Sequence, residues 1–261
     1  MADAGALASA LAARGAAQLA GLEWHTTLAS TSDRVKALAR AGAPEWTAVL
    51  ADQQSGGRGR EGRHWASPPG GLYLSVLFRP RFAAVGLLPL AAGVAVAEAA
   101  REFGVRAELK WPNDTLVAGR KLAGVLAEAA SGAAGVEWVS LGIGVNVRSA
   151  QDGLPVELRG QVASLHEGGR APEVSAVAAA VLAHLRVWYD AVGSAPRAVV
   201  SAWRSRAVSW WGEPVEIRTG GGTLRVRLRG VDADGALVVE MPGGQARRVL
   251  SGEVLGVRRA G

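Results

Sequence analysis

The chain has no cysteine among its 261 residues. That removes disulfides, thiolate metal sites and cysteine nucleophiles together, and a reducing cytoplasm fits such a composition. The longest apolar run, residues 83–97, contains Pro89 and is followed by Glu98, too short and too broken for a membrane-spanning helix. The first residues carry Asp3 and no early basic cluster, so they do not read as a secretory signal. Also missing are the phosphate loop Gly-x-x-x-x-Gly-Lys-[Ser/Thr], the His-Glu-x-x-His pair of zinc hydrolases and the Gly-x-Ser-x-Gly elbow of serine hydrolases. The histidines at 25, 64, 166 and 184 show no ligand spacing, and no metal ligand set is expected from them.

Lysine and asparagine are scarce rather than absent. Lys and Arg total 29, of which only three are lysines, and the only asparagines are Asn113 and Asn146. Where a plain surface cation suffices the chain uses Arg, so a retained Lys marks a place that needs a compact ammonium. The segment Lys110-Trp-Pro-Asn-Asp-Thr-Leu-Val-Ala-Gly-Arg-Lys121 holds two of those lysines and Asn113. It is the first candidate for chemistry, against the alternative of rare residues clustered by chance on a solvated strand. The net charge of +6 is spread along the chain with no basic run of five or more, which argues against a nucleic-acid tract. A local patch of arginines could equally attract a phosphate-bearing small molecule or an acidic protein.

The length suits one large domain or a main domain with a small one. Periodicity predicts a helix over residues 3–19, a strand over 23–28, and a helix from Ser30-Thr-Ser-Asp33 to about Ala41, its hydroxyls and carboxylate suiting the N-cap. Strands are predicted over 46–51, 71–78, 106–110, 113–117, 121–128 and 136–147, and helices over 85–103, 173–190 and 195–208. Beyond Trp211, short strands alternate with the turns Gly220-Gly-Gly222, Asp232-Ala-Asp-Gly235 and Pro242-Gly-Gly244, at the spacing of a small β-barrel. The expected division is a mixed sheet-and-helix domain over 1–210 and a β domain over 211–261.

Gly56-Gly-Arg-Gly-Arg-Glu-Gly-Arg63, followed by His64-Trp65, joins four glycines to three guanidiniums, so backbone can approach a ligand while planar forks grip oxygen pairs. It also contains the Gly-x-Gly-x-x-Gly dinucleotide fingerprint at 57, 59 and 62. That fingerprint opens a helix and is followed about 20 residues later by an acid, whereas Pro68 and Pro69 follow here and residues 75–85 hold no acid. The Rossmann reading fails on context, and a loose Arg-Gly tract touching RNA is normally longer and less bounded by strands. His64 beside the loop is read as a packing or hydrogen-bonding residue.

Gly-Arg-Gly-x-x-Gly-Arg-x-Trp65, Lys110-Trp-Pro-Asn-Asp114, Gly-Arg-Lys-Leu-Ala-Gly124 and Gly-Ile-Gly-Val-Asn146, in that order and spacing, resemble the biotin protein ligases, the biotin–[acetyl-CoA carboxylase] ligases. The resemblance runs from about Ser30 to Gly256. It implies an α+β fold: a mixed β-sheet flanked by helices, of the class II aminoacyl-tRNA synthetase and biotin ligase kind, with a small SH3-like C-terminal β-barrel. It implies that biotin and ATP, with Mg²⁺, form biotinyl-adenylate, and that biotin then passes to one lysine of a biotin carboxyl carrier protein. Ser30, Thr31, Ser32 and Gln54 would meet the biotin head group, while Arg58, Gly59, Arg60 and Lys121 would surround its carboxylate and the α-phosphate. Gly142 and Gly144 would let a strand pass close to biotin. Arg63, Trp65, Asn113 and Asn146 would meet ATP or the adenylate, with Trp65 stacking near the adenine. Asp114, Lys121 and Arg60 would be catalytic, Asp114 by orienting or deprotonating the carrier lysine and the two cations by cancelling the repulsion between carboxylate and phosphate.

One departure is Ser32, where many relatives have Asn; a serine can both donate and accept. Another is that about 22 residues precede the first strand, too few for the winged helix of relatives that also repress transcription, so no operator binding is expected. Relatives are homodimers through a sheet face or monomers, and both remain open. The Arg-Gly loop is expected to be disordered until ligand orders it. Lipoate ligase, which shares the fold and the two-step logic, and a biotin-sensing or nucleic-acid-binding module without turnover are the alternatives.

Overall fold

The computed structural model describes residues 4–15, 19–133, 135–148 and 154–257. The main sheet has seven strands in the order β1-β2-β3-β7-β6-β5-β4. These are β1 (Gly21–Leu28), β2 (Thr47–Gln54), β3 (Leu72–Phe78), β4 (Glu108–Lys110), β5 (Asp114–Val117), β6 (Arg120–Gly132) and β7 (Gly135–Val145). Only β1 and β2 run parallel, so the sheet is mixed.

Side chains alternate across a pleated strand, and β2 and β3 use the alternation on both faces. Leu50, Leu72, Leu74, Val76 and Phe78 face the large core, which helices α1 (Ala4–Ala13), α3 (Leu88–Glu102), α4 (Val174–Ser194) and α5 (Pro196–Arg204) cover. Val49 and Leu77 face the other way, against Val35 and Ala39 of α2 (Thr31–Arg40). Helix α2 reaches only part of that second face. Beyond it the register sets Ser75 opposite Gly142, and Tyr73 opposite Gly144, which in turn pairs with Gly124. Glycines at paired positions leave a shallow floor where another sheet would carry side chains.

Of the helix expected over 3–19, residues 3 and 16–18 lie outside the described residues, and Ala4–Ala13 forms it. The helix expected over 85–103 begins as a 3₁₀ turn at Val85–Leu87 and becomes α-helical at Leu88, with Pro89 in its first turn where no amide hydrogen is needed. No helix among the described residues is long and apolar enough to cross a membrane.

The C-terminal strands β8 (Pro214–Thr219), β9 (Gly222–Val231), β10 (Leu237–Glu240), β11 (Ala246–Val249) and β12 (Glu253–Val257) form one antiparallel sheet, ordered β11-β10-β9-β8-β12. Among the described residues no pairing joins β11 to β12, so the sheet is not closed by hydrogen bonds into a barrel. Its inner residues Val215, Ile217, Leu228, Leu237 and Val239 belong to the same continuous core as the main sheet. Trp111 Nε1 donates to the Gly235 carbonyl across this junction at 3.0 Å, and the Trp203 and Trp211 rings meet edge to face at 6.4 Å.

Candidate functional site

The site begins where β1 ends and α2 starts. Ser30 takes extended angles (φ −157°, ψ 130°), and its hydroxyl accepts the Asp33 N–H at 3.4 Å, so the cap read from the sequence is present. Capping at Ser30 aims the first helical turn at β3. The Thr31 and Ser32 hydroxyls then both reach Ser75 Oγ, at 2.8 and 3.1 Å. Gln54, at the end of β2, accepts the Thr31 N–H at 2.8 Å and donates to Ser67 Oγ at 2.9 Å. Ser75 is fully buried and was missed from sequence, because a serine inside Leu-Tyr-Leu-Ser-Val-Leu-Phe reads as one more strand residue.

The course of the Arg-Gly loop is set by contacts of its arginines. Its glycines alone suggest freedom, but its arginines tether it. Arg58 forms an ion pair with Asp33 at 2.9 Å, Arg60 donates to the Gly252 carbonyl at 2.9 Å, and Arg63 donates to Glu253 at 2.8 Å. Burial lowers the Arg60 guanidinium below the ordinary arginine pKa, with Glu61 opposing. Gly59 N–H bonds the Arg63 carbonyl, and Arg58 and His64 pair as a short antiparallel bridge. His64 is exposed at the pocket rim.

Trp65 then lies across the glycine floor. A methyl group added at Gly144 would stand 2.6 Å from its ring, and one at Gly124 would stand 2.9 Å from it. Lys121 Nζ sits 5.2 Å over the indole, within reach of a cation–π attraction, while the buried indole N–H has no protein partner.

All three lysines form ion pairs with carboxylates. Lys36 lies between Asp33 and Glu128, each at 2.9 Å, although the sequence reading gave it no role. Lys121 and Lys110 hold the two oxygens of Asp114 at 2.7 and 3.1 Å. Burial would raise the Asp114 pKa, but the charges and hydrogen bonds of Lys121 and Lys110 outweigh it and hold the carboxyl below its ordinary 3.8. Because the folded pKa is depressed, the stabilisation from this group is complete above 3.8 and is lost as pH falls through the lower folded value. Asp114→Asn is therefore expected to cost about 3 kcal/mol at pH 7, since Lys110 is left as a largely buried ammonium without its carboxylate. In urea unfolding the difference from the parent should shrink below pH 3.8; a pH-independent difference would count against the ion pair.

Asn113 Nδ2 donates to the Val125 carbonyl at 2.6 Å and Asn146 Nδ2 to the Lys121 carbonyl at 3.0 Å. Each asparagine thus clamps β6 and offers a ligand only what its carboxamide has left. Gly142 lies against Ser32, not against the tryptophan: an added methyl would stand 2.8 Å from Ser32 Oγ. The residues that the resemblance assigns to biotin and ATP converge on one cavity of about 270 Å³, whereas Lys110 stands behind it, paired with Asp114. The sequence reading missed part of its wall: Leu154, Leu158, Gln161 and Val162 from the segment before α4, and Glu253 from β12. That segment is fixed by Lys121 N–H to the Gln161 carbonyl and Ala163 N–H to the Lys121 carbonyl, both 2.9 Å. It carries no motif of its own, so only its pairing with β6 reveals it.

Hydroxyl and amide groups from Ser30, Thr31, Ser32 and Gln54, cations beside an indole that crosses a glycine floor, and two asparagines line one cavity, which suits a ligand that joins a neutral polar head to an anionic centre. Residues 25–146 match the biotin/lipoate A/B protein ligase family, and residues 211–255 match the biotin protein ligase C terminal domain. The biotin--[acetyl-CoA-carboxylase] ligase of Paracoccus denitrificans is 36% identical over 76% of this chain and 85% of its own length. That of Mycobacterium tuberculosis is 33% identical over 88% and 86%. Among solved structures, the biotin protein ligase from Aquifex aeolicus in complex with biotin and ATP superimposes with a TM-score of 0.78 at 31% identity, covering 92% of this chain and 99% of that one. The chain belongs to the biotin/lipoate A/B protein ligase family, and its named relatives place it on the biotin side of that family.

Proposed function

We propose that this protein is an ATP-dependent biotin protein ligase. It activates biotin as biotinyl-5′-AMP and transfers the biotinyl group to a lysine of the biotin carboxyl carrier protein of acetyl-CoA carboxylase. The observation that carries this reading is the set of groups that line one cavity together. Neutral hydrogen-bonding residues (Ser30, Thr31, Ser32, Gln54) suit a urea head, Arg58, Arg60 and Lys121 suit the carboxylate and α-phosphate, and Trp65, Asn113 and Asn146 suit the nucleotide.

In the first step a biotin carboxylate oxygen attacks the α-phosphorus and pyrophosphate leaves. Both reactants are anionic, so cations must cancel their repulsion and stabilise the charge that develops. Lys121 and Arg60, which line the same cavity, do so, and Arg58 joins them on release from Asp33. In the second step the neutral amine of the carrier lysine attacks the acyl carbon and AMP leaves. A carboxylate held below its ordinary pKa is a strong hydrogen-bond acceptor and a weak base, so Asp114 orients that amine and fixes Lys121 more than it removes a proton.

Among the described residues no three His, Asp or Glu side chains meet as a metal cage, and both Asp114 oxygens are taken by lysines. This donor set fits a Mg²⁺ that travels on the nucleotide phosphates, where it would neutralise charge. We assign the C-terminal sheet to the SH3-like type, the domain division to residues 1–210 and 211–261, and the protein to a reducing cytoplasm on its lack of cysteine.

The test is biotin-dependent exchange of labelled pyrophosphate into ATP, with lipoate in parallel. Exchange with biotin alone is expected. Exchange with lipoate instead would move the chain to the sister activity, and silence with both despite biotin binding would favour a sensor. In the same samples, tryptic cleavage after Arg58, Arg60 and Arg63 should slow when biotin and ATP are both present.

A further inference from the structure

The groups at the head of the cavity form a hydrogen-bond chain whose direction is set by one fixed end. The Thr31 backbone N–H can only donate, so the Gln54 side-chain atom 2.8 Å from it is the carboxamide oxygen. Thr31 Oγ1 lies 3.1 Å from that same oxygen, and two acceptors so placed would repel, so the hydroxyl donates there. The other end of the carboxamide agrees: Nε2 donates to Ser67 Oγ, whose own proton goes to the Trp65 carbonyl. Thr31 has then spent its single hydroxyl proton and must accept from Ser75 Oγ, 2.8 Å away. Ser75, having donated, must accept from Ser32 Oγ at 3.1 Å. Ser32 is left with lone pairs alone to turn toward the cavity it lines. Ser75 is fully buried and is not part of the cavity wall, so it acts on a ligand only through this relay.

We propose that Ser75 is a positioning residue that fixes the donor and acceptor polarity of the head pocket. Through it Ser32 can only accept, and the site selects a ligand that presents an N–H at the Gly142 end of the floor. As a free side chain Ser32 could donate or accept; the relay removes the first possibility. The inference rests on the biotin reading, because a urea supplies N–H donors where a ring ether or ester oxygen supplies only lone pairs.

The test compares biotin with the two cyclic carbamates that each replace one ureido N–H by oxygen, measuring kcat/KM for pyrophosphate exchange and binding by calorimetry. The unaltered protein should reject one carbamate by about 100-fold, because its oxygen faces the Ser32 lone pairs. In Ser75→Ala the Ser32 hydroxyl is free to turn and donate. That carbamate should then improve about tenfold in absolute terms while biotin loses no more than about tenfold, so the discrimination collapses. Ser75→Thr keeps the relay hydroxyl and should keep the original ratio, whereas Ser32→Ala should weaken biotin without helping the carbamate. Discrimination unchanged in Ser75→Ala, or an equal loss with both ligands, overturns the positioning role. Absence of biotin binding and exchange in the unaltered protein would instead overturn the biotin reading beneath it.

Discussion

Lys121→Met is expected to lower biotin-dependent pyrophosphate exchange by about 100- to 1,000-fold, the loss seen when one preorganised donor to a developing charge is removed. The ammonium is placed by three features: the Asp114 carboxylate at 2.7 Å, the Trp65 ring at 5.2 Å, and strand β6, on which Asn146 clamps the Lys121 carbonyl. Met retains the apolar stem over the indole and removes only the charge, so the loss should fall mainly on kcat. Lys121→Ala should also cost stability, because Asp114 is buried and would keep only Lys110. A cost of about 1–2 kcal/mol follows, a few degrees in Tm for a chain of this size. Arg60 leaves behind only a backbone carbonyl, so Arg60→Ala should still lose activity with little change in Tm. Near-normal exchange in a folded Lys121→Met protein would remove this residue from the reaction.

Gly144→Ala should reduce adenylate formation by about 100-fold without unfolding the protein. Its methyl group would stand 2.6 Å from one indole carbon and 2.8 Å from the indole nitrogen, so the ring must leave the strand or the strand must shift. A displacement of about 1 Å at a reacting site costs on the order of 100-fold in rate. The indole N–H has no protein partner, so packing and Lys121 alone hold the ring in place. Gly220→Ala is the matched control, with no atom within 4 Å of the added carbon. Equal activity in the two variants would mean that the floor does not need to be bare.

Much of the fold was legible because its signals are local. Ser30 caps α2 as hydroxyl chemistry requires, and the long strands follow their apolar alternation. The scarcity of lysine marked Lys110 and Lys121, since composition bias exposes a residue that the chain could not replace by arginine. Lys36 escaped because no motif surrounds it; its two carboxylate partners come from its own helix and, 92 residues away in the chain, from β6. The contacts of the Arg-Gly loop escaped for a related reason. Four glycines promise entropy, but the acceptors that restrain its arginines lie on α2 and at the start of β12.

By itself the sequence determined the element pattern, the motifs and the residue types of the site, because capping, alternation and the donor capacities of side chains are properties of neighbours in the chain. Tertiary structure decided what those groups can do. It set the glycines in register as a floor, joined the C-terminal sheet to the main core, gave Asp114 two lysines that keep it ionised, and placed Ser75 behind Ser32. Each of these depends on distances between strands remote in sequence, and hydrogen-bond direction and electrostatic balance change over about an ångström.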